Sequence, residues 1–460
     1  MPDIFIYRKS KLEDGLRFEA EFYRPKYISN EYKHNNWKLI GSILKFSQYG
    51  LGFSLNEEGI GYPIFRLNEI ENGFLTYPKK FVDINQEKYE EYKLKKNDIL
   101  FCRTNGNFFL VGRAGILKED LDAVFASYLV RIRPNSSHIL PEFLNIYLNS
   151  SVGKLNIQRR AMQSNQTNVS AAQLKKIPIP IFDKKFQMKI KENFEVSSTK
   201  LTQAKNIYAE AEKIFYKSLG LDNWSPKENL YYVEKYQNIF KKKRIDAEHF
   251  HPKFKDMFNK ISSKIKFNKI KNIAKFAKGV EPGSSNYVDV GIPFFRVSNI
   301  TKFGLQENNI MFIRNEMYNN LKEDYNPKKG EILLSKDGTP GIAFYLKDSI
   351  EGIISGGLLR LHSIKNILPY YLEVVLNSKI VQYQMERDSG GSIIKHWKPD
   401  EISNTLIPRI GSTLENKISK LIMKSHDLRK ESKDITNYLI DATDHAIFFG
   451  QEKAMKNYFR

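Results

Sequence analysis

The sequence predicts an α+β protein. It should be built from two tandem-duplicated, mostly β bodies, each followed by a long helix, with the two helices pairing as an antiparallel coiled coil. Three observations carry this expectation. The chain repeats itself at about half its length, which sets the architecture before any local reading. Each half alternates β-branched and aromatic residues with Gly, Asn and Pro punctuation, the pattern of short strands and turns. Each half then closes on a sustained 4-3 spacing of apolar and small residues, the pattern of a helical seam.

The repeat opens with RFEAEFYRPKY (17–27) and RIDAEHFHPKF (244–254), where Arg17, Ala20 and Glu21 answer Arg244, Ala247 and Glu248. It continues through GYPIFRLNEIENG (61–73) and GIPFFRVSNITKFG (291–304), and through KKNDILFCRTNG (95–106) and KKGEILLSKDG (328–338). ASYLVRIRP (126–134) answers SGGLLRLHS (355–363), ILPEFLNIYLNS (139–150) answers ILPYYLEVVLNS (367–378), and IPIPI (177–181) answers IPRI (407–410). A chain of 460 residues is too long for one core. A repeat of about 230 residues means two similar domains rather than a solenoid.

Within each half, residues 37–135 and 267–363 read as strands and turns, and residues 141–150 and 369–378 as helices. The first seam is Ile190, Phe194, Ser197, Leu201, Ala204, Tyr208, Ala211, Phe215 and Ser218. The second is Leu421, Ser425, Leu428, Ser432, Ile435, Leu439, Ala442, Ala446 and Phe449, at one constant offset. Ser197, Ser218, Ser425 and Ser432 weaken both strips, and two weak seams of equal length are expected to pair with each other. Paired antiparallel, they would form a rod of about 45–52 Å at about 1.5 Å per residue, longer than the ~34–36 Å turn of B-DNA.

Composition is globular, with 41% hydrophobic and 27% charged residues. No apolar run approaches the ~18 residues of a membrane span, and the first residues lack a basic-then-apolar secretory pattern. Cys102 is the only cysteine, which excludes a disulfide framework and a Cys-based zinc site and fits a reducing cytoplasm. The net charge of +21 favours a polyanionic partner through counterion release from phosphates.

The chemistry of an enzyme is not visible. There is no Asn/Asp-Pro-Pro-aromatic motif of an amino-methyltransferase (Asn326-Pro327-Lys328 is not one), no GxxxxGK[ST], and no HExxH. Asp98 and Glu331 sit at matched places before strands and read as turn acids, not as the acidic pair of a nuclease. His249 and His251 belong to the repeat rather than to a ligand set.

Base readout needs Arg or Lys for guanine, Asn or Gln for adenine, and Thr near thymine methyls. Two readers of different half-sites should differ in the loops that read. The first divergent pair is RTNGNFF (103–109) against KDGTP (336–340), with Arg103, Thr104 and Asn105 answered by Lys336 and Thr339. The second is MQSNQTN (162–168) against SGGSIIKHW (389–397), with Gln163, Asn165 and Gln166 answered by Lys395, His396 and Trp397. The third is SQYGLGFS (47–54) against AKGVEPGSS (277–285), with Tyr49 and Lys278. Arg66 and Arg296 share one position, as do Arg131 and Arg360. A shared position argues for phosphate contact or structure over base readout.

Several of these segments resemble one family, the specificity subunits of type I restriction–modification systems. The resemblance rests on NDILFCRTNG (97–106) and GEILLSKDGTPGIA (330–343), SYLVRIRP (127–134), PEFLNIYLNS (141–150) and NVSAAQLKKIPIPI (168–181), and covers nearly the whole chain twice. Departures are PIFDKKFQMKI (180–190) at the start of the first long helix and SIIKHWKPDEI (392–402), which unsettle the loop geometry. The resemblance implies a first target-recognition domain over 1–182, a long helix over 183–220, a linker over 221–240, a second recognition domain over 241–410, a second long helix over 411–450 and a tail over 451–460. It implies a non-catalytic subunit whose domains each read half of a bipartite, asymmetric duplex-DNA site. The paired helices would act as spacer and as dock for two methyltransferase subunits, which endonuclease/translocase subunits join. S-adenosylmethionine, ATP and Mg2+ would be bound by those partners. The alternatives are a duplicated scaffold for RNA or protein, and a stand-alone nuclease.

Overall fold

The computed structural model describes residues 6, 12, 18–28, 36–161, 167–226, 231–261, 263–306, 310–389 and 395–459. The chain divides into two compact units, residues 1–201 with 430–460, and residues 202–429. Both are mixed α and β. Among the described residues, no helix is long and apolar enough to cross a membrane.

The first unit is organised by a six-stranded sheet in the order Leu44–Tyr49, Leu129–Pro134, Ile99–Cys102, Ala114–Ile116, Phe74–Leu75 and Ile70–Glu71. Its middle strand, Ile99–Cys102, is buried at every position. Successive side chains of a strand point to opposite faces, and both faces here are covered. Ile99 and Phe101 join the cluster that holds Phe143, Tyr147 and Phe194, while Leu100 and Cys102 join a second cluster with Phe65, Phe125 and Leu129. That is why the sequence shows a continuous apolar run and not an alternation. Two helices, Pro141–Asn149 and Ser151–Arg160, cover the first face. The first of them starts with proline at its opening position, where the missing N–H costs nothing.

The second unit repeats this plan with a four-stranded sheet in the order Lys275–Lys278, Leu358–His362, Ile332–Ser335 and Ala343–Tyr345. Its covering helices are Pro369–Asn377 and Lys379–Ser389. The central register is equivalent in both units, with Arg131 opposite Leu100 in one and Arg360 opposite Leu333 in the other. The tyrosine hydroxyls of the covering helices also act alike, Tyr147 donating to the Pro178 carbonyl and Tyr371 to the Pro408 carbonyl at 2.7 Å. Asn149 and Asn377 both bridge to the neighbouring strand, donating to the carbonyls of Ala114 at 3.0 Å and Ala343 at 2.8 Å.

The long helices are Lys184–Leu219 and Ser412–Phe449. In the first unit, Ile190, Phe194 and Leu201 share a core with Leu439 and Ala446. In the second, Tyr208, Ala211 and Phe215 share one with Ile418 and Ile422. The first seam is buried as the spacing predicts, except that Ser218 is half-buried. The second seam is corrected. Ser425, Ser432, Leu439 and Ala446 are buried, but Ile422, Arg429, Thr436 and Thr443 line the stripe where Leu421, Leu428 and Ile435 were expected, and Phe449 is 60% exposed. The helix is turned toward polar residues that find partners. Thr436 and Thr443 donate to the carbonyls one turn back, at 3.1 and 2.9 Å, and Arg429 lies 3.6 Å over the Phe303 ring. The serines do not simply weaken the seams either. In the first unit Ser197 Oγ donates to the Ser432 carbonyl at 2.8 Å, and in the second Ser425 Oγ donates to the Ala204 carbonyl at 2.7 Å. The segment over 451–460 contains a further helix, Gln451–Tyr458, which puts Ala454 into the first unit's core.

Candidate nucleic-acid interface

The stretch that the chain says twice proves to be a brace. In the first unit the Phe22 carbonyl accepts from Arg159 Nε at 2.9 Å, and the Arg159 guanidinium lies 4.2 Å from the Phe22 ring centre. In the second, His249 Nδ1 is 2.9 Å from the Arg387 carbonyl and Lys253 Nζ bonds Glu386 at 2.6 Å. Arg244 adds a bidentate pair with Asp246 and donates to the Asp388 carbonyl at 2.7 Å. The braced helices, Ser151–Arg160 and Lys379–Ser389, end just before the second divergent loop of each unit. Arg17 lies outside the described residues.

The divergent loops come together in the same way in both units. Thr104–Asn105 pairs with Thr167–Asn168 as a two-residue antiparallel ladder, and Asp337–Gly338 pairs with Lys395–His396. The first and second candidate loops, separate in sequence, therefore form one surface element in each unit. One residue further on, Val169 N–H donates to the Arg103 carbonyl at 2.7 Å and Trp397 N–H to the Lys336 carbonyl at 2.8 Å. Val169 and Trp397 are 0% and 1% exposed. Trp397 thus anchors its loop from the core and is not among the groups that face outward. Gln163, Asn165 and Gln166 lie outside the described residues.

In the first unit the third loop joins the other two. Arg103 donates through Nε to the Ser127 carbonyl at 3.1 Å and through Nη1 to Asn168 Oδ1 at 3.2 Å. Its guanidinium lies 4.8 Å over the Tyr49 ring, and the Tyr49 hydroxyl accepts from the Ala171 N–H at 2.8 Å. Asn105 Oδ1 accepts from the Asn107 N–H at 2.8 Å and Asn107 Oδ1 from the Phe109 N–H at 3.0 Å, two successive side-chain turns that hold Phe109 73% exposed. Neither Asn168 nor Phe109 was singled out from sequence. Asn168 sits inside the Gln/Asn loop and could have been found by its polarity, whereas the exposure of Phe109 has no sequence signal.

In the second unit Asp337 is the hub. Lys336 Nζ bonds Asp337 Oδ2, and His396 Nδ1 is 2.9 Å from Oδ1. Burial alone would raise the Asp337 carboxyl, but the bonds from Lys336 and His396 outweigh it and hold the group below its ordinary value. Thr339 is exposed beyond Gly338, whose φ of 69° makes the turn. Lys278 is exposed at the end of strand Lys275–Lys278 and is not joined to this set.

The shared arginines make bonds within the scaffold. Arg66 and Arg296 begin matched short turns, their backbone N–H groups donating to Glu69 at 2.8 Å and Asn299 at 2.9 Å, and the Arg66 guanidinium returns to Glu69 at 2.8 Å. Arg131, on strand Leu129–Pro134, bonds the carbonyls of Lys93 and Glu91 at the end of helix Gln86–Tyr92, and Arg360, on strand Leu358–His362, bonds those of Asn326 and Asp324 at the end of helix Asn315–Tyr325. Asp98, 0% exposed, accepts from Arg133 at 2.6 and 2.7 Å and from the Lys95 N–H at 2.9 Å. Glu331 pairs with Arg360 at 3.1 Å and accepts from the Lys328 N–H at 2.9 Å. Both acids are occupied as turn and strand anchors.

Over part of its length this chain is similar to specificity proteins of type I restriction–modification systems. Residues 36–213 match the family described as "Type I restriction modification DNA specificity domain". Over that region, less than half of its length, the chain is similar to this family. Among curated proteins it is 30% identical over 130 residues to the type I restriction enzyme EcoKI specificity subunit of Escherichia coli strain K12, covering 27% of this chain and 28% of that protein. It is 29% identical over 196 residues to the putative type I restriction enzyme MjaX specificity subunit of Methanocaldococcus jannaschii, covering 40% of this chain and 45% of that protein. The aligned stretches thus span less than half of either relative. A solved S subunit of a type I restriction–modification system from M. genitalium aligns over 91% of this chain and 97% of its own, at 15% identity and a TM-score of 0.37.

Proposed function

We propose that this chain is the specificity subunit of a type I restriction–modification complex and binds duplex DNA. Each unit reads one half of a bipartite, asymmetric site through its joined loops. One observation carries this reading. The same two loops are joined by the same short ladder in both units, on matched scaffolds, yet their side chains differ. Matched scaffolds fit a tandem duplication, and different loops fit two different half-sites. The long helices are read as an antiparallel spacer. In one unit the early part of the first helix meets the late part of the second, and in the other the late part meets the early part. The same helices are the proposed dock for two methyltransferase subunits, with endonuclease/translocase subunits joining them. S-adenosylmethionine, ATP and Mg2+ belong to those partners, and this chain directs their chemistry without performing any.

The test is a methylation map of the host genome, by single-molecule sequencing, with and without the gene for this chain. A split, asymmetric motif should vanish with the chain. If every methylated motif survives its loss, and the purified chain also selects no split motif from a random duplex library, the reading is refuted.

A further inference from the structure

The two units share a ladder but not its charge. In the first, the paired residues are neutral, Thr104 with Asn168 and Asn105 with Thr167. In the second, His396 faces Asp337 and Lys395 faces Gly338. Both oxygens of Asp337 are taken, Oδ1 by His396 Nδ1 and Oδ2 by Lys336 Nζ. The carboxylate is therefore not a free acceptor; its side chain is 27% exposed and that of Lys336 15%, while His396 stands out at 60%. A carboxylate on Nδ1 makes that nitrogen the donor, so Nε2 is the atom left for a partner. The charged groups near the ring are Asp337, Lys336 just before it in the chain, Lys395 on the ring's own strand, and further along Lys398 with Glu401, whose carboxylate accepts from the Lys398 N–H at 2.9 Å. With Asp337 accepting at Nδ1 and a DNA acceptor at Nε2, the ring would meet an acceptor at each nitrogen, and only a doubly protonated imidazole donates to both.

We propose that His396 is a specificity-determining residue of the second unit, donating Nε2–H as an imidazolium to the acceptor edge of guanine, N7 or O6, with Asp337 as its positioning residue. This rests on the reading of the chain as a duplex-DNA specificity subunit. A phosphate oxygen offers the same acceptor chemistry, and the experiment separates the two.

The full-length chain, its His396→Gln variant and its Asp337→Asn variant are each used to select from a random duplex library at about pH 6 and about pH 8, and affinity for the selected duplex is measured at both. The wild type should select a split motif with a guanine in one half, and its affinity should fall by about five- to tenfold from the lower pH to the higher, within the roughly tenfold per unit limit of one bound proton. His396→Gln should lose the guanine preference and the pH dependence while keeping the other half of the motif, which doubles as a check that the variant is folded. Asp337→Asn should weaken the same guanine, and 7-deazaguanine there should cost the wild type but not His396→Gln. An unchanged motif and pH profile in His396→Gln overturns the inference. So does a pH-dependent loss that is uniform over all sequences, which would mark a phosphate contact. A wild type that selects no split motif would instead remove the parent reading and this one with it.

Discussion

Replacing Ser197 with leucine should destabilise the first unit more than replacing it with alanine, against what a heptad pattern suggests. Ser197 Oγ is fully buried, donates to the Ser432 carbonyl at 2.8 Å, and lies 2.9 Å from Ser432 Oγ and 3.0 Å from Thr436 Oγ1. Thr436 keeps its own bond to the Ser432 carbonyl at 3.1 Å, so alanine removes one hydrogen bond and strands the Ser432 hydroxyl. A net hydrogen bond is worth about 1 kcal/mol and an orphaned buried hydroxyl costs about 1–3 kcal/mol, so alanine should cost about 2–4 kcal/mol in all. Leucine loses the same bonds and must also fit beside two hydroxyls at hydrogen-bond distance, where overpacking adds about 1–3 kcal/mol. The transfer gain of about 2 kcal/mol for a buried leucine is not realised, because the site has no room that lacks polar atoms. Native-state hydrogen exchange at the amides flanking residues 197 and 432 reads this locally, where a global melt of a two-unit chain would not be two-state. Protection should fall about tenfold for every ~1.4 kcal/mol, and further for leucine than for alanine. Leucine protection equal to or above wild type would refute the reasoning.

Asp98→Ala should cost the first unit about 3–5 kcal/mol, because it leaves the Arg133 and Arg131 guanidiniums without their buried carboxylate, and a urea melt followed at the first unit's amides would show it. A loss below about 1 kcal/mol would mean that the pair is solvated and the anchor idea wrong. Glu373 is fully buried against His426, at 3.0 and 3.1 Å, and burial raises its carboxyl above the ordinary value even though His426 pulls the other way. A carboxyl raised by folding contributes stability that is fully present below its unfolded value and lost as pH rises through the folded one. The second unit's thermal stability should therefore fall as pH rises above the ordinary carboxylate range, and Glu373→Gln should flatten that fall. Parallel pH profiles for the two proteins would show that this carboxyl is not the cause.

The parts of the fold written locally were legible in the sequence. The apolar run of Ile99–Cys102 announced a strand, and Pro141 and Pro369 announced helix starts, because each signal involves neighbours in the chain. The second long helix shows where that reading stops. A spacing pattern ranks Leu421, Leu428 and Ile435 above Arg429 and Thr436, since it counts hydrophobicity alone. The structure buries Arg429 and Thr436 because Phe303 stacks on one and the Ser432 carbonyl accepts from the other. The candidate interface divides in the same way. The loops were found by their divergence, but the ladder that joins them links residues about sixty positions apart, and nothing local records that His396 will meet Asp337. Trp397 adjoins polar residues in the sequence, yet it is the core anchor that Val169 is in the first unit.

The separation of kept from varied residues bears on how such a chain can change what it binds. Arg131 with Arg360, Tyr147 with Tyr371, and Asn149 with Asn377 make matching bonds to backbone carbonyls in both units. A bond to a backbone carbonyl depends on strand and helix positions, not on the side chains of a loop. The ladder is likewise a backbone pairing, so it can accept Thr104 and Asn168 in one unit and Asp337 and His396 in the other. The helix ahead of the second loop is fixed from outside by the repeated opening stretch, through the Phe22 carbonyl in the first unit and through His249, Lys253 and Arg244 in the second. The outward loop side chains, unlike the buried anchors Val169 and Trp397, thus carry little of the folding free energy, and substitutions at them cost the scaffold little. A protein held in this way can exchange its outward groups one unit at a time, which is what the proposed reading of two half-sites demands.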